Sequence, residues 1–132
     1  MTEKQDGCCA TTNDTRCSSE AKALIVACSG GSNVGQISNQ VMVELDKAGR
    51  GNAYCLAGVG AGISGFVESA KAARTIVIDG CPVGCGKKVF ETYGIQPTRY
   101  IVVTELGIEK THNFDTMSAE TKNVLAKLLS SM

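Results

Sequence analysis

The sequence predicts an α/β domain: a small four-stranded, mostly parallel sheet of Rossmann or flavodoxin-like type, with helices on both faces. Strand-like and helix-like stretches alternate four times along the chain. The strand candidates are continuously apolar rather than alternating, as in Ala23-Leu24-Ile25-Val26-Ala27 and Thr75-Ile76-Val77-Ile78. Strands of that kind are buried on both faces, which a parallel sheet between two helical layers provides. With right-handed crossovers, the commonest short solution has strand order 2-1-3-4. Its helices after strands 1 and 3 leave to opposite sides, and ligands are expected at the carboxyl ends of those two strands.

Residues 1–20 are polar and aperiodic, with Cys8, Cys9 and Cys17 among Thr, Asn, Asp and Ser. Such a stretch buries too little apolar area to offset ordering, so it reads as a flexible cysteine-containing tail before a domain spanning 21–132. Strand 1 ends at Cys28 in a glycine turn. Val34, Ile37, Val41, Leu45 and Ala48 then recur at helical spacing, with Ser32 or Asn33 as cap and Gly49 as stop. Asn52–Ala57 reads as a shorter strand, followed by Gly58, Gly60 and Gly62 and a helix marked by Ile63, Phe66, Val67, Ala70 and Ala73. Strand 3, Thr75–Asp79, runs into a helix opened by Pro82 and closed at Gly94, and Tyr100–Thr104 makes strand 4. Ser118 caps the last helix, whose inner stripe is Met117, Thr121, Val124, Leu125 and Leu128.

A chain of 132 residues is one domain by size. Thirteen Lys plus Arg balance thirteen Asp plus Glu, and no basic run exceeds two residues, so neither a nucleic-acid footprint nor an anionic-membrane patch is present. The polar start and the lack of a long apolar run point to a soluble cytoplasmic protein. Seven cysteines, an odd number, argue against a closed disulfide framework and for metal or redox work in a reducing compartment.

The chemistry concentrates in Asp79-Gly80-Cys81-Pro82-Val83-Gly84-Cys85-Gly86-Lys87-Lys88. Read as a cap residue and a first-turn residue of one helix, Cys81 and Cys85 face the same way, and the helix start favours their thiolates. The topology carries Cys28 to the same edge as Cys81 and Cys85. Cys55 joins them only if strand 2 ends there, and otherwise it fills the core. These four thiols suit a tetrahedral Cys₄ zinc site. Lys87 and Lys88 either offset its negative charge from just outside the ligands or form an ordinary solvated face.

Leu24-Ile25-Val26-Ala27-Cys28-Ser29-Gly30, Cys55-Leu56-Ala57-Gly58, Asp79-Gly80-Cys81 with Cys85-Gly86-Lys87-Lys88, and Thr104-Glu105-Leu106-Gly107 together resemble the DGC domain, a small prokaryotic family named for its Asp-Gly-Cys motif. The resemblance covers about residues 22 to 112. It implies zinc binding through four cysteines, which correspond here to Cys28, Cys55, Cys81 and Cys85. It implies no reaction, and it does not extend to the tail cysteines. A non-enzymatic role in metal handling, sensing or a protein complex is therefore the leading reading, with the oligomeric state open.

Two alternatives use the same cysteines. An iron–sulfur cluster takes the same Cys₄ set, and a thiol redox enzyme would pair Cys81 with Cys85 or with Cys28. The Cys28–Val34 loop also occupies the place of the nucleophile loop in low-molecular-weight phosphatases. The arginine that binds the oxyanion in such loops is replaced by Val34, which removes that chemistry. His112 and Glu105 read as surface residues. No carboxylate pair, Ser/His/Asp set or GK[ST] loop is present.

Overall fold

The computed structural model describes residues 21–132. The expected tail, with Cys8, Cys9 and Cys17, lies outside the described residues. Four strands, β1 (Leu24–Ala27), β2 (Asn52–Ala53), β3 (Thr75–Asp79) and β4 (Arg99–Val102), form one parallel sheet in the order β2-β1-β3-β4. This is the 2-1-3-4 order that the pattern predicts. The β1–β3 register pairs Ile25 with Ile76 and Ala27 with Ile78, and the Cys28 amide extends it by donating to the Ile78 carbonyl at 2.9 Å.

Alternation along the strands builds two cores. Ile25, Ala27, Ile76, Ile78 and Ile101 face α1 (Asn33–Lys47) and α5 (Met117–Ser131), while Val26 and Val77 face α2 (Leu56–Gly60), α3 (Ser64–Ala72) and α4 (Cys85–Thr92). Both faces of the sheet are thus covered, which is why the central strands carry the unbroken apolar runs Leu24–Ala27 and Ile76–Ile78. The helices after β1 and β3 leave to opposite sides, so the switch point lies between these two strands.

α1 follows the sequence closely. Ser32 is its N-cap, accepting from the Gly35 amide, and Val34, Ile37, Val41 and Leu45 are fully buried. Past its end Gly49 takes φ +78°, a left-handed conformation open to glycine at little cost. α5 starts one residue before the expected Ser118 cap, because its first turn is closed by backbone, Glu120 N–H to the Thr116 carbonyl at 3.1 Å. Strand 2 is shorter than its apolar run suggests. It ends at Ala53, and the chain turns at Cys55, which caps α2 by accepting the Gly58 amide on Sγ at 3.2 Å.

The largest departure concerns Pro82. It opens a turn, not a helix: the Gly84 amide donates to the Cys81 carbonyl at 3.1 Å, Pro82 takes the second turn position that suits its fixed φ, and Gly84 follows at φ +69°. α4 therefore begins only at Cys85, and Cys81 lies outside it. Gly80 explains the tight fit of this junction. A Cβ there would meet the backbone of Val34 at 2.7 Å, since the end of β3 presses on the start of α1. Gly80→Ala is expected to destabilise by about 1–3 kcal/mol, whereas Gly65→Ala, in open space on α3, should stabilise by about 0.5–1 kcal/mol. Urea unfolding of the two variants checks the contrast.

Candidate thiol site at the carboxyl edge of the sheet

Cys28 stands one residue past β1 in a braced loop. Its carbonyl accepts the Ser38 hydroxyl, and Gln36 Nε2 donates to the carbonyls of Ser29 (3.2 Å) and Gly30 (2.8 Å). The thiol is half-buried. Burial pushes its pKa up, the Gly30 amide opposes the rise, and negative charge at Cys85 and Asp79 adds to it. Cys55, as the cap of α2, and Cys85, as the first residue of α4, are both exposed. These three thiols line one crevice of about 860 Å³, whose other walls include Tyr54, Leu56, Phe66 and Val89. The Tyr54 and Phe66 rings meet at 5.3 Å between centroids.

Cys81 is placed differently. Because Pro82 turns the chain before α4, Cys81 is not on one helix face with Cys85; it packs against the core on the α1 and α5 side of the sheet. Its Sγ accepts from Lys110 Nζ at 3.4 Å. Lys110 is held there by buried Asn33, whose side chain donates to the Glu109 carbonyl at 2.8 Å and accepts the Thr111 amide at 2.6 Å. Of the four cysteines singled out from the sequence, three share the crevice and the fourth sits behind the turn that carries Cys85.

Asp79 is the residue that the sequence reading passes over. It is 1% exposed, yet its carboxylate is satisfied three times: by the amides of Gly86 (2.8 Å) and Lys87 (3.0 Å) and by the Tyr100 hydroxyl (2.7 Å). Burial first and then this hydrogen bond hold the Tyr100 hydroxyl far above the usual tyrosine range, so it stays a donor. The first amides of α4 thus serve a carboxylate, where the sequence suggests that they serve the thiols. Gly86 is required beside it, since a Cβ would come within 2.8 Å of Asp79 Oδ1. An Asp closing an otherwise apolar strand, seven residues before a glycine in a helix start, was the available signal.

Lys87 and Lys88 are exposed. Lys87 Nζ lies 5.7 Å over the Tyr100 ring and Lys88 Nζ donates to the Val83 carbonyl at 2.7 Å, so neither borders the crevice. His112 and Glu105 are exposed, as expected of surface residues. Among the described residues, no three Cys, His, Asp or Glu side chains stand close enough together to share one metal ion as they are. The donors nevertheless fit a soft ion in kind. The crevice offers thiols and no carboxylate, imidazole or amine, and two of the three, Cys55 and Cys85, are exposed.

The model of the DGC domain family matches residues 24–128, from the first strand through most of α5. The chain belongs to the DGC domain family. This DGC domain is also 33% identical over 106 residues to the Anaerobic and virulence modulator AnvM of Pseudomonas aeruginosa, a match covering 80% of this chain and 81% of that protein. No solved structure matches it. No helix among the described residues is long and apolar enough to cross a membrane.

Proposed function

We propose that this DGC domain is a soft-metal-binding module, with zinc as its ion, that works in metal handling, sensing or a protein complex. Cys28, Cys55 and Cys85 are the donors in the crevice, and Cys81 is the fourth. One observation carries the reading: thiols from the end of β1, the β2–α2 junction and the start of α4 border a single crevice that has no carboxylate or other charged side chain on its walls. Bound zinc would supply a fixed positive charge that holds the thiols as thiolates and ties three sequence-distant segments together. The related AnvM is named a modulator, which fits a regulatory partner role better than a metabolic step.

Elemental analysis of protein purified without added metal is expected to find about one zinc per chain. If the ion links the strand ends, a strong chelator should lower the melting temperature by roughly 10 °C, the shift expected for binding at about 100 times Kd in a domain of this size. An unchanged melt after verified metal removal would reject the linkage. A brown protein would mean an iron–sulfur cluster instead.

A thiol redox function is the second reading. It is favoured by the placement of Cys28 and Cys85 on the wall of one crevice. Metal-free protein that gains a readily reducible Cys28–Cys85 disulfide on mild oxidation would support it.

A further inference from the structure

We infer that the thiol crevice is the seat of an uncharged organic thiophile: a compact apolar group, aryl or short alkyl, bearing a soft trivalent metalloid such as arsenic(III). The inference rests on the reading of the crevice as a soft-donor site, and it begins from size. An ion bonded to sulfur at about 2.3 Å fills only a small part of 860 Å³, a volume in the range that holds small organic molecules. The rest of the wall is mostly apolar, from Tyr54, Leu56, Phe66 and Val89, with Ser29 and Asn39 as its polar side chains and no charged one. A charged ligand would find no charged side chain there to offset the loss of its water. Several soft donors beside an apolar hollow match a molecule with one soft end and one apolar end.

Cys28, one residue past β1, and Cys85, the first residue of α4, are the proposed pair, and both line the crevice. The capture step balances without a redox partner. An oxo-arsenical R–As=O meets two thiols, two As–S bonds form, the As=O bond breaks, and both thiol protons leave with the oxygen as water. Arsenic stays trivalent, and R occupies the space beside Phe66 and Val89.

The test uses the reduced full chain, with phenylarsine oxide and arsenite as probes and dithiothreitol as the competing free dithiol. The ratio of affinities, phenylarsine oxide over arsenite, should exceed that of dithiothreitol by roughly tenfold or more, the effect of burying a phenyl ring. Ala57→Trp, at an exposed rim position of α2, should fill the hollow and abolish this excess while arsenite still binds. Phe66→Leu should reduce it, and Cys28→Ser should lose the arsenical adduct by mass spectrometry. An excess no larger than that of dithiothreitol, or one unaffected by Ala57→Trp, would overturn the proposal. The two readings fail separately. Zinc binding without aryl preference rejects the thiophile alone, and aryl preference without zinc binding rejects the zinc module alone.

Discussion

Asp79→Ala is expected to cost about 3–5 kcal/mol of stability, the largest loss of any single substitution at the sheet edge. The carboxylate lies at 1% exposure and accepts the Gly86 and Lys87 amides and the Tyr100 hydroxyl. Alanine leaves all three donors without their acceptor, and each buried donor left unsatisfied costs about 1–3 kcal/mol, less where water can reach it. Against a total stability of about 5–15 kcal/mol, that brings the domain near its limit. Tyr100→Phe removes a single donor and should cost about 1 kcal/mol. The two changes should not add, since they share one hydrogen bond; a coupling of about 0.5–3 kcal/mol in a double-mutant cycle is expected. Urea unfolding measures all four species. Full additivity would mean that the Asp79–Tyr100 bond does not form. The consequence for the site is direct, because the same carboxylate sets where α4 begins and hence where Cys85 stands.

The second large effect is on metal affinity. Cys28→Ser, Cys55→Ser and Cys85→Ser should each weaken zinc binding by more than the roughly 10–100-fold typical of changes in groups that merely support a ligand. Cys81→Ser should weaken it least of the four, because this thiol starts outside the crevice in contact with Lys110. Serine replacing Cys8, Cys9 and Cys17 together should leave binding intact. Competition with a chromogenic chelator measures the series. If the tail replacement abolished binding and Cys85→Ser did not, the site would be at the other end of the chain.

The architecture was legible because it rests on periodicity. Unbroken apolar runs at 23–27 and 76–78 report burial on two faces, and the helical spacing of Val34, Ile37, Val41 and Leu45 reports the inner stripe of α1. From these, topology alone brings Cys28 and Cys81 to one sheet edge, although it is Cys85 that shares the crevice with Cys28. What escaped the sequence depends on short-range competition. Pro82 suits the second position of a turn as well as the first position of a helix, and only the Gly84 amide on the Cys81 carbonyl, with Gly84 left-handed, decides between them. That choice separates Cys81 from Cys85. The apolar look of residues 52–57 likewise hid the break at Cys55, where one sulfur-capped turn replaces the end of a strand and brings Cys55 to the crevice. Asp79 escaped because its three donors come from positions 7, 8 and 21 residues away, and the Asp–glycine spacing that hints at the first two says nothing of Tyr100.

Zinc-edge X-ray absorption on the purified full chain decides whether these thiols share one ion. Three or four sulfur neighbours at about 2.3 Å, falling by one in Cys85→Ser, is the predicted result. A zinc surrounded by oxygen and nitrogen alone, or a spectrum that Cys85→Ser leaves unchanged, would contradict it.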